Sequence, residues 1–254
     1  MPTLTLIEAA FFLKDFGDAG MSKQSGLIRL LPRDALIKTG PFDEADWTYK
    51  PFLGWIISQR YRLILSLLPK HRVHRILEVG YGSGIFMPEL ARHCDELYGI
   101  DIHPHQQSVT DILARFGVTA QLISGTVEAV PFSENFFDCV VALSSLEFVE
   151  NFQAACQEMK RVLKSDGCLV IVTPGASPIV DLGLKILTGE DAQENYGDRR
   201  KFLIPTLKQF FTLNKKLTFP AFGSWLVCLY KAFKLFPIHQ TAKDNIIDDQ
   251  FYQI

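Results

Sequence analysis

One segment constrains this chain more than any other. Ile76-Leu77-Glu78-Val79 reads as a short buried strand, and Gly80-Tyr81-Gly82-Ser83-Gly84 follows it without a spacer, leading into a helix from about Phe86 to His93. A strand, a glycine-rich turn and a helix in immediate succession form the nucleotide-binding unit of parallel α/β folds. Glycine lets a ligand approach the backbone, and the helix start offers unpaired N–H groups. The next strand, Leu97-Tyr98-Gly99-Ile100, ends at Asp101, 21 residues after Gly80. That distance suits an acid that takes the two hydroxyls of an adenosine ribose.

The remaining pattern extends the same fold. A helix is expected over Gln106 to Phe116, and strands over Ala120 to Ile123 and Asp138 to Leu143. A further helix spans Phe152 to Leu163, with a strand over Gly167 to Val172. Short apolar strands alternating with helices of this length predict a doubly wound, mostly parallel sheet, Rossmann-like, with helices on both faces. Before it, Phe52, Ile56, Ile57, Tyr61, Ile64 and Leu68 recur at helical spacing up to Pro69. The expected organisation is a helical, partly irregular lead-in over 1–70, a nucleotide-binding core over 71–175, and a C-terminal cap over 176–254 that completes the same domain.

The glycine turn leaves two ligand classes in competition. A dinucleotide fingerprint needs a small residue at position 85, which is Ile85. Glu78, two residues before the first glycine, would repel a pyrophosphate but would suit the ammonium and sulfonium of S-adenosylmethionine. Electrostatics favours the methyl donor.

With four stretches in order, ILEVGYGSG, LYGID, GTVEAVPFSENFFDCVVALSSLEFVEN and VLKSDGCLVIVTP, residues from about 74 to 174 resemble a class I S-adenosylmethionine-dependent methyltransferase of the small-molecule, quinone-biosynthesis-like type. The resemblance implies the doubly wound methyltransferase fold and S-adenosylmethionine as cofactor. It implies that Glu78 meets the methionyl amino group. Gly80, Gly82 and Gly84, with the Tyr81 backbone, would line the turn beneath methionine and ribose. Asp101 would hold the ribose, with Ile102 against the adenine face. Thr126 and Val127 would face the adenine edge, and Leu143 and Ser144 the methionyl part. Two positions depart from the family pattern: Thr126 stands where an acid is usual, and Phe148 where a histidine often follows Glu147. The resemblance supplies no catalytic residue, and Glu147 reads as structural.

The histidines do not suggest a metal. His103 and His105 flank Pro104 on a turn with no third ligand nearby, and His71 and His74 are similarly placed; all four read as solvated. Five scattered cysteines without C-x-x-C spacing read as reduced thiols.

Charge is unevenly distributed. The formal net charge is −2, yet Arg199 to Lys243 holds nine Lys/Arg and no acid, leaving 17 Lys/Arg against 28 Asp/Glu elsewhere. The same stretch carries nine aromatics, including Phe202, Phe211, Phe222, Trp225, Tyr230 and Phe233. It reads as a structural cap of one helix and two last strands, one of them over Ser224 to Lys231. Alternatives are a peripheral-membrane or lipophilic-substrate surface, or, less in keeping with the sequence, a nucleic-acid surface. The longest charge-free stretches, Gly167 to Val180 and Leu217 to Tyr230, have 14 residues each, short of the roughly 18 that span a bilayer. Glu8 inside the first apolar run argues against a signal peptide. The sequence therefore predicts a cytoplasmic enzyme that methylates a small, apolar or lipid-like acceptor. A catalytically silent cofactor-binding module or partner is the alternative.

Overall fold

The computed structural model describes residues 27–41, 43–175, 199–221 and 227–238. The strands are β1 (Val73–Val79), β2 (Cys94–Asp101), β3 (Gln121–Ser124), β4 (Phe137–Leu143), β5 (Leu163–Pro174), β6 (Phe211–Phe219) and β7 (Tyr230–Pro237). They form one sheet in the order β3-β2-β1-β4-β5-β7-β6. Pairings from β3 through β5 are parallel, while β7 runs antiparallel to both β5 and β6. The helices are α1 (Leu53–Leu67), α2 (Met87–Leu90), α3 (Gln106–Arg115), α4 (Phe152–Val162) and α5 (Arg199–Phe210).

Neighbouring residues on each strand go to opposite cores, as the two-residue strand period requires. Ile76, Leu97, Val141 and Val170 join Tyr61 and Ile64 of α1 and Leu113 of α3 in one cluster. Leu77, Tyr98, Val140 and Leu169 join Met159 of α4 and Leu207 of α5 in the other. Both faces of the parallel strands are thus buried, which explains their unbroken apolar runs.

Several boundaries differ from the sequence expectation. The helix after the glycine turn is only the single turn α2, and Ala91 to His93 lead directly into β2. The last strand runs from Tyr230, not from Ser224, and Ser224 to Leu226 lie outside the described residues. Ahead of α1, the described part of the lead-in forms two short 3-10 turns, Arg33–Ala35 and Ala45–Tyr49, and residues 1–26 fall outside the description.

The basic, aromatic stretch supplies α5, β6 and β7. Phe211, Phe219 and Phe233 are buried in the two cores, while Phe202 and the β6 residues Lys215 and Lys216 are exposed. Part of its aromatic content is therefore core, and Phe222, Trp225 and residues 239–243 lie outside the described residues. No helix among the described residues is long and apolar enough to cross a membrane.

Around Tyr98, the rings of Phe132, Phe136 and Phe137 stand edge-on with centroids 5.3–5.5 Å from it. Arg75 lies 4.1 Å over the Phe136 ring. Phe137 is fully buried. Phe137→Ala should destabilise the fold by about 3–5 kcal/mol, read from urea unfolding.

Candidate active site

The strand order reverses between β1 and β4, and there the carboxyl ends of the strands splay around a cleft of about 740 Å³. A crevice at such a switch point is where open α/β sheets bind ligands, and this volume lies within the roughly 300–1,000 Å³ usual for small-molecule sites. Its floor is the turn after β1, the end of β2, the loop after β3 and the end of β4. Its other wall comes from residues 39–41 and 43–45, Trp47, α1 and Tyr230.

Strand alternation places Glu78 on the same face as Ile76, towards α1. It is only 2 % exposed, and Oε2 has no hydrogen-bond partner. Burial, helped by the Asp101 charge and opposed by that of Arg60, pushes its carboxyl up to about 8. An acid so placed in a ligand cleft, with an oxygen lacking a donor, fits a cationic N–H group.

The turn after β1 is built around three left-handed glycines, Gly80, Gly82 and Gly84. Gly80 has φ +75°, and a Cβ there would lie 2.3 Å from the Ser145 Cβ. Ser145 itself donates from Oγ to the Val79 carbonyl at 2.7 Å, tying the end of β4 to that of β1. Gly82 has φ +51°, and a Cβ there would lie 3.7 Å from the Asp43 carboxylate, an ordinary contact. Gly84 does not line the cleft. Its Cβ position faces Val109 and Leu113 of α3, so it serves helix-to-turn packing, and the expectation that it lies under the ligand is corrected.

Asp101 accepts the Gly82 N–H on Oδ2 at 2.8 Å and receives a longer contact from the His103 N–H at 3.4 Å on Oδ1. Ile102 is 80 % exposed on the cleft wall, a free apolar face. Thr126, buried Val127, Leu143 and Ser144 also line the cleft, as does Phe148. The acid missing at position 126 reappears two residues later. Glu128 lines the same wall, and its Oε2 and N–H both bond to the Thr126 hydroxyl, at 3.3 and 3.2 Å.

That wall is anchored from behind. Arg161 at the end of α4 donates to the carbonyls of Phe132 and Val130 at 2.7 and 2.8 Å, and Glu158 accepts the Val130 N–H at 2.9 Å. Glu147 is buried and outside the cleft lining, in keeping with a structural role.

The structure brings ten of the eleven residues named from the sequence to one cleft, Gly84 excepted, and other residues line it with them. Asp43, Trp47, Arg60 and Tyr230 line the cleft but lie in segments read only as lead-in or cap. The helical period does place Arg60 beside Tyr61 and one turn before Ile64, on the sheet-facing side. Tyr81 packs its buried ring edge-on against His103, at 4.9 Å between centroids. His103 was expected in solvent and is instead buried, 7 % exposed. No group of three metal-ligating side chains occurs among the described residues. The five cysteines are free and buried.

Residues 77–171 match a family profile described as a methyltransferase domain. Over those residues this chain is similar to methyltransferase domains. A relative is the uncharacterized methyltransferase YcgJ of Bacillus subtilis, 29 % identical over 145 residues, which are 56 % of this chain and 57 % of that protein. The ubiquinone/menaquinone biosynthesis C-methyltransferase UbiE of Pasteurella multocida is 31 % identical over 114 residues, 42 % of each chain. Among solved structures, the N-methyltransferase NodS of Bradyrhizobium japonicum, in complex with S-adenosyl-L-homocysteine, shares the fold. Its TM-score is 0.55 at 19 % identity, over 80 % of this chain and 95 % of that one. The chain spans 53 %, 29 % and 57 % of the length of three curated relatives that it matches.

Gly80 and Gly82 should separate experimentally. Gly80→Ala forces Ser145 to move and breaks its tie to Val79, costing more than about 2 kcal/mol. Gly82→Ala has room and suffers only the left-handed backbone, about 1–2 kcal/mol. Thermal melts of the two variants give the ranking, and equal losses would remove the Ser145 contact as its cause.

Proposed function

We propose that this chain is a methyltransferase that moves a methyl group from S-adenosylmethionine to a small apolar acceptor. The observation that carries the reading is the buried Glu78 carboxyl on the cleft floor, its Oε2 without a donor, beside a glycine turn held by Asp101. When bound, the cofactor supplies an electrophilic sulfonium methyl. Glu78 would take the ammonium, the lone pairs left on Asp101 the ribose hydroxyls, Ile102 the adenine face and Val127 the adenine edge. Glu128 with Thr126 would take the adenine amino group in place of the acid usual at position 126.

The acceptor half of the cleft supports an apolar substrate. Trp47, Leu53, Ile56, Ile57, Phe148 and Leu229 line it, drawn from the lead-in, α1, the turn after β4 and the chain before β7. Displacement at a sulfonium methyl demands alignment and exclusion of water more than proton transfer. An apolar wall provides both, and the reading assigns no catalytic base. Methyl release from labelled S-adenosylmethionine, screened over quinone, phenolic and lipid acceptors, tests the reading. A chain that binds the cofactor and methylates none of them is instead a binding module.

Two binding outcomes are expected. Asp101→Ala should weaken S-adenosylhomocysteine by about 1.5–3 kcal/mol in calorimetry, the loss of a charge-assisted pair. Unchanged affinity would remove Asp101 from the site.

The second concerns pH. Below about 8 the ligand-free Glu78 holds its proton. A ligand ammonium favours the ionised form, so binding releases that proton, and affinity rises as pH climbs from about 6 towards 8. For the ligand-free fold the sign is reversed. This group's contribution is complete below its ordinary value of 4.5 and is lost as pH rises through about 8. Calorimetry in two buffers of different ionisation enthalpy reads the released proton, and Glu78→Gln should abolish it. Affinity that is flat with pH in the wild type would place the ammonium elsewhere.

A further inference from the structure

His103 lies two residues past the end of β2, and both of its ring nitrogens are engaged. Nε2 is 3.0 Å from the carbonyl oxygen of Gly82, and Nδ1 is 3.1 Å from the backbone nitrogen of His105. A carbonyl can only accept and a backbone N–H can only donate. The two partners therefore fix the neutral tautomer with its proton on Nε2. The backbone of His103 is tied as well: its carbonyl accepts the Ser124 hydroxyl at 3.0 Å, and its N–H points at Asp101. One residue thus joins the turn after β1, the end of β2 and the end of β3.

Gly82 is held on both sides of its own backbone. Its N–H is taken by Asp101 Oδ2 at 2.8 Å, and its carbonyl by the His103 ring. The same Asp101 oxygen lies 3.9 Å from His103 Nε2. The left-handed turn at Gly82 and the direction of the Asp101 carboxylate are therefore set by one closed circuit of three residues. No other side chain donates to the Gly82 carbonyl among the described residues.

We propose that His103 is a positioning residue of the cofactor site. As the Nε2–H tautomer it pins the Gly82 carbonyl, so that the turn keeps its shape and Asp101 keeps two lone pairs aimed into the cleft for the ribose. The inference rests on the S-adenosylmethionine reading above. It concerns the nucleoside half of the ligand, not the ammonium at Glu78.

The test compares His103→Ala with His103→Gln, whose side-chain amide can still donate to Gly82. Two probes are titrated: S-adenosylhomocysteine, and 5′-methylthioadenosine, which has no amino-acid part. The Ala variant should lose about tenfold in affinity for both probes, and the Gln variant should recover most of that loss. In the ligand-free protein, nitrogen-15 spectra of the wild type at neutral pH should show Nδ1 without a proton. Amide exchange at Gly82 should speed up in the Ala variant and return in the Gln variant.

Equal affinity of the Ala variant for 5′-methylthioadenosine, a Gln variant no better than Ala, or a proton on Nδ1 would each overturn the proposal. If the Ala variant fails to fold, the Gln variant and the wild-type tautomer still decide. If the wild type binds neither nucleoside, the cofactor reading fails, and unaltered Gly82 exchange in the variants would then also sink the pin.

Discussion

A carboxyl group buried on the cleft floor is costly, and much of this cleft is arranged around that cost. Glu78 stands on the central strand, paired with Gly99 on one side and Val141 on the other. The sheet cannot turn it outwards, because its neighbours Leu77 and Val79 are committed to the opposite core. Its surroundings compensate little: Asp101 raises the cost of ionisation, and only Arg60 relieves it. Isolated in this way, the group favours a cationic partner over an anionic one, which separates sulfonium chemistry from pyrophosphate binding.

The core was readable because each of its signals is local. Strand, glycine turn and acid follow one another within some thirty residues, and each has a physical reason to be where it is. The parallel sheet follows from apolar runs buried on both faces. The wall opposite the glycine turn was illegible for the opposite reason. Trp47, Arg60 and Tyr230 are far apart in the chain, and nothing in the sequence around any of them mentions the other two; the fold alone brings them together.

His103 and Gly84 failed in instructive ways. A histidine beside a proline after a strand has every local reason to be solvated, and its burial depends on Gly82 and Tyr81, some twenty residues earlier. Gly84 belongs to the motif by spacing, but its open side meets Val109 and Leu113 of α3. The glycines of one turn thus serve different masters: Gly80 admits Ser145, Gly82 faces the opening, and Gly84 admits a helix.

The reversed direction of β7 has a wider consequence. In a wholly parallel sheet every strand finishes at the ligand edge, and only connecting loops can reach across it. Because β7 runs the other way, it begins there, and Tyr230 is its first residue. The wall opposite the glycine turn therefore draws on α1 and β7, which lie on either side of the parallel core in sequence, whereas the floor is drawn from that core. The two halves of the cleft are encoded in separate stretches of sequence. On the methyltransferase reading proposed above, a change of acceptor would fall on the outer stretches and leave the cofactor contacts of the inner one in place.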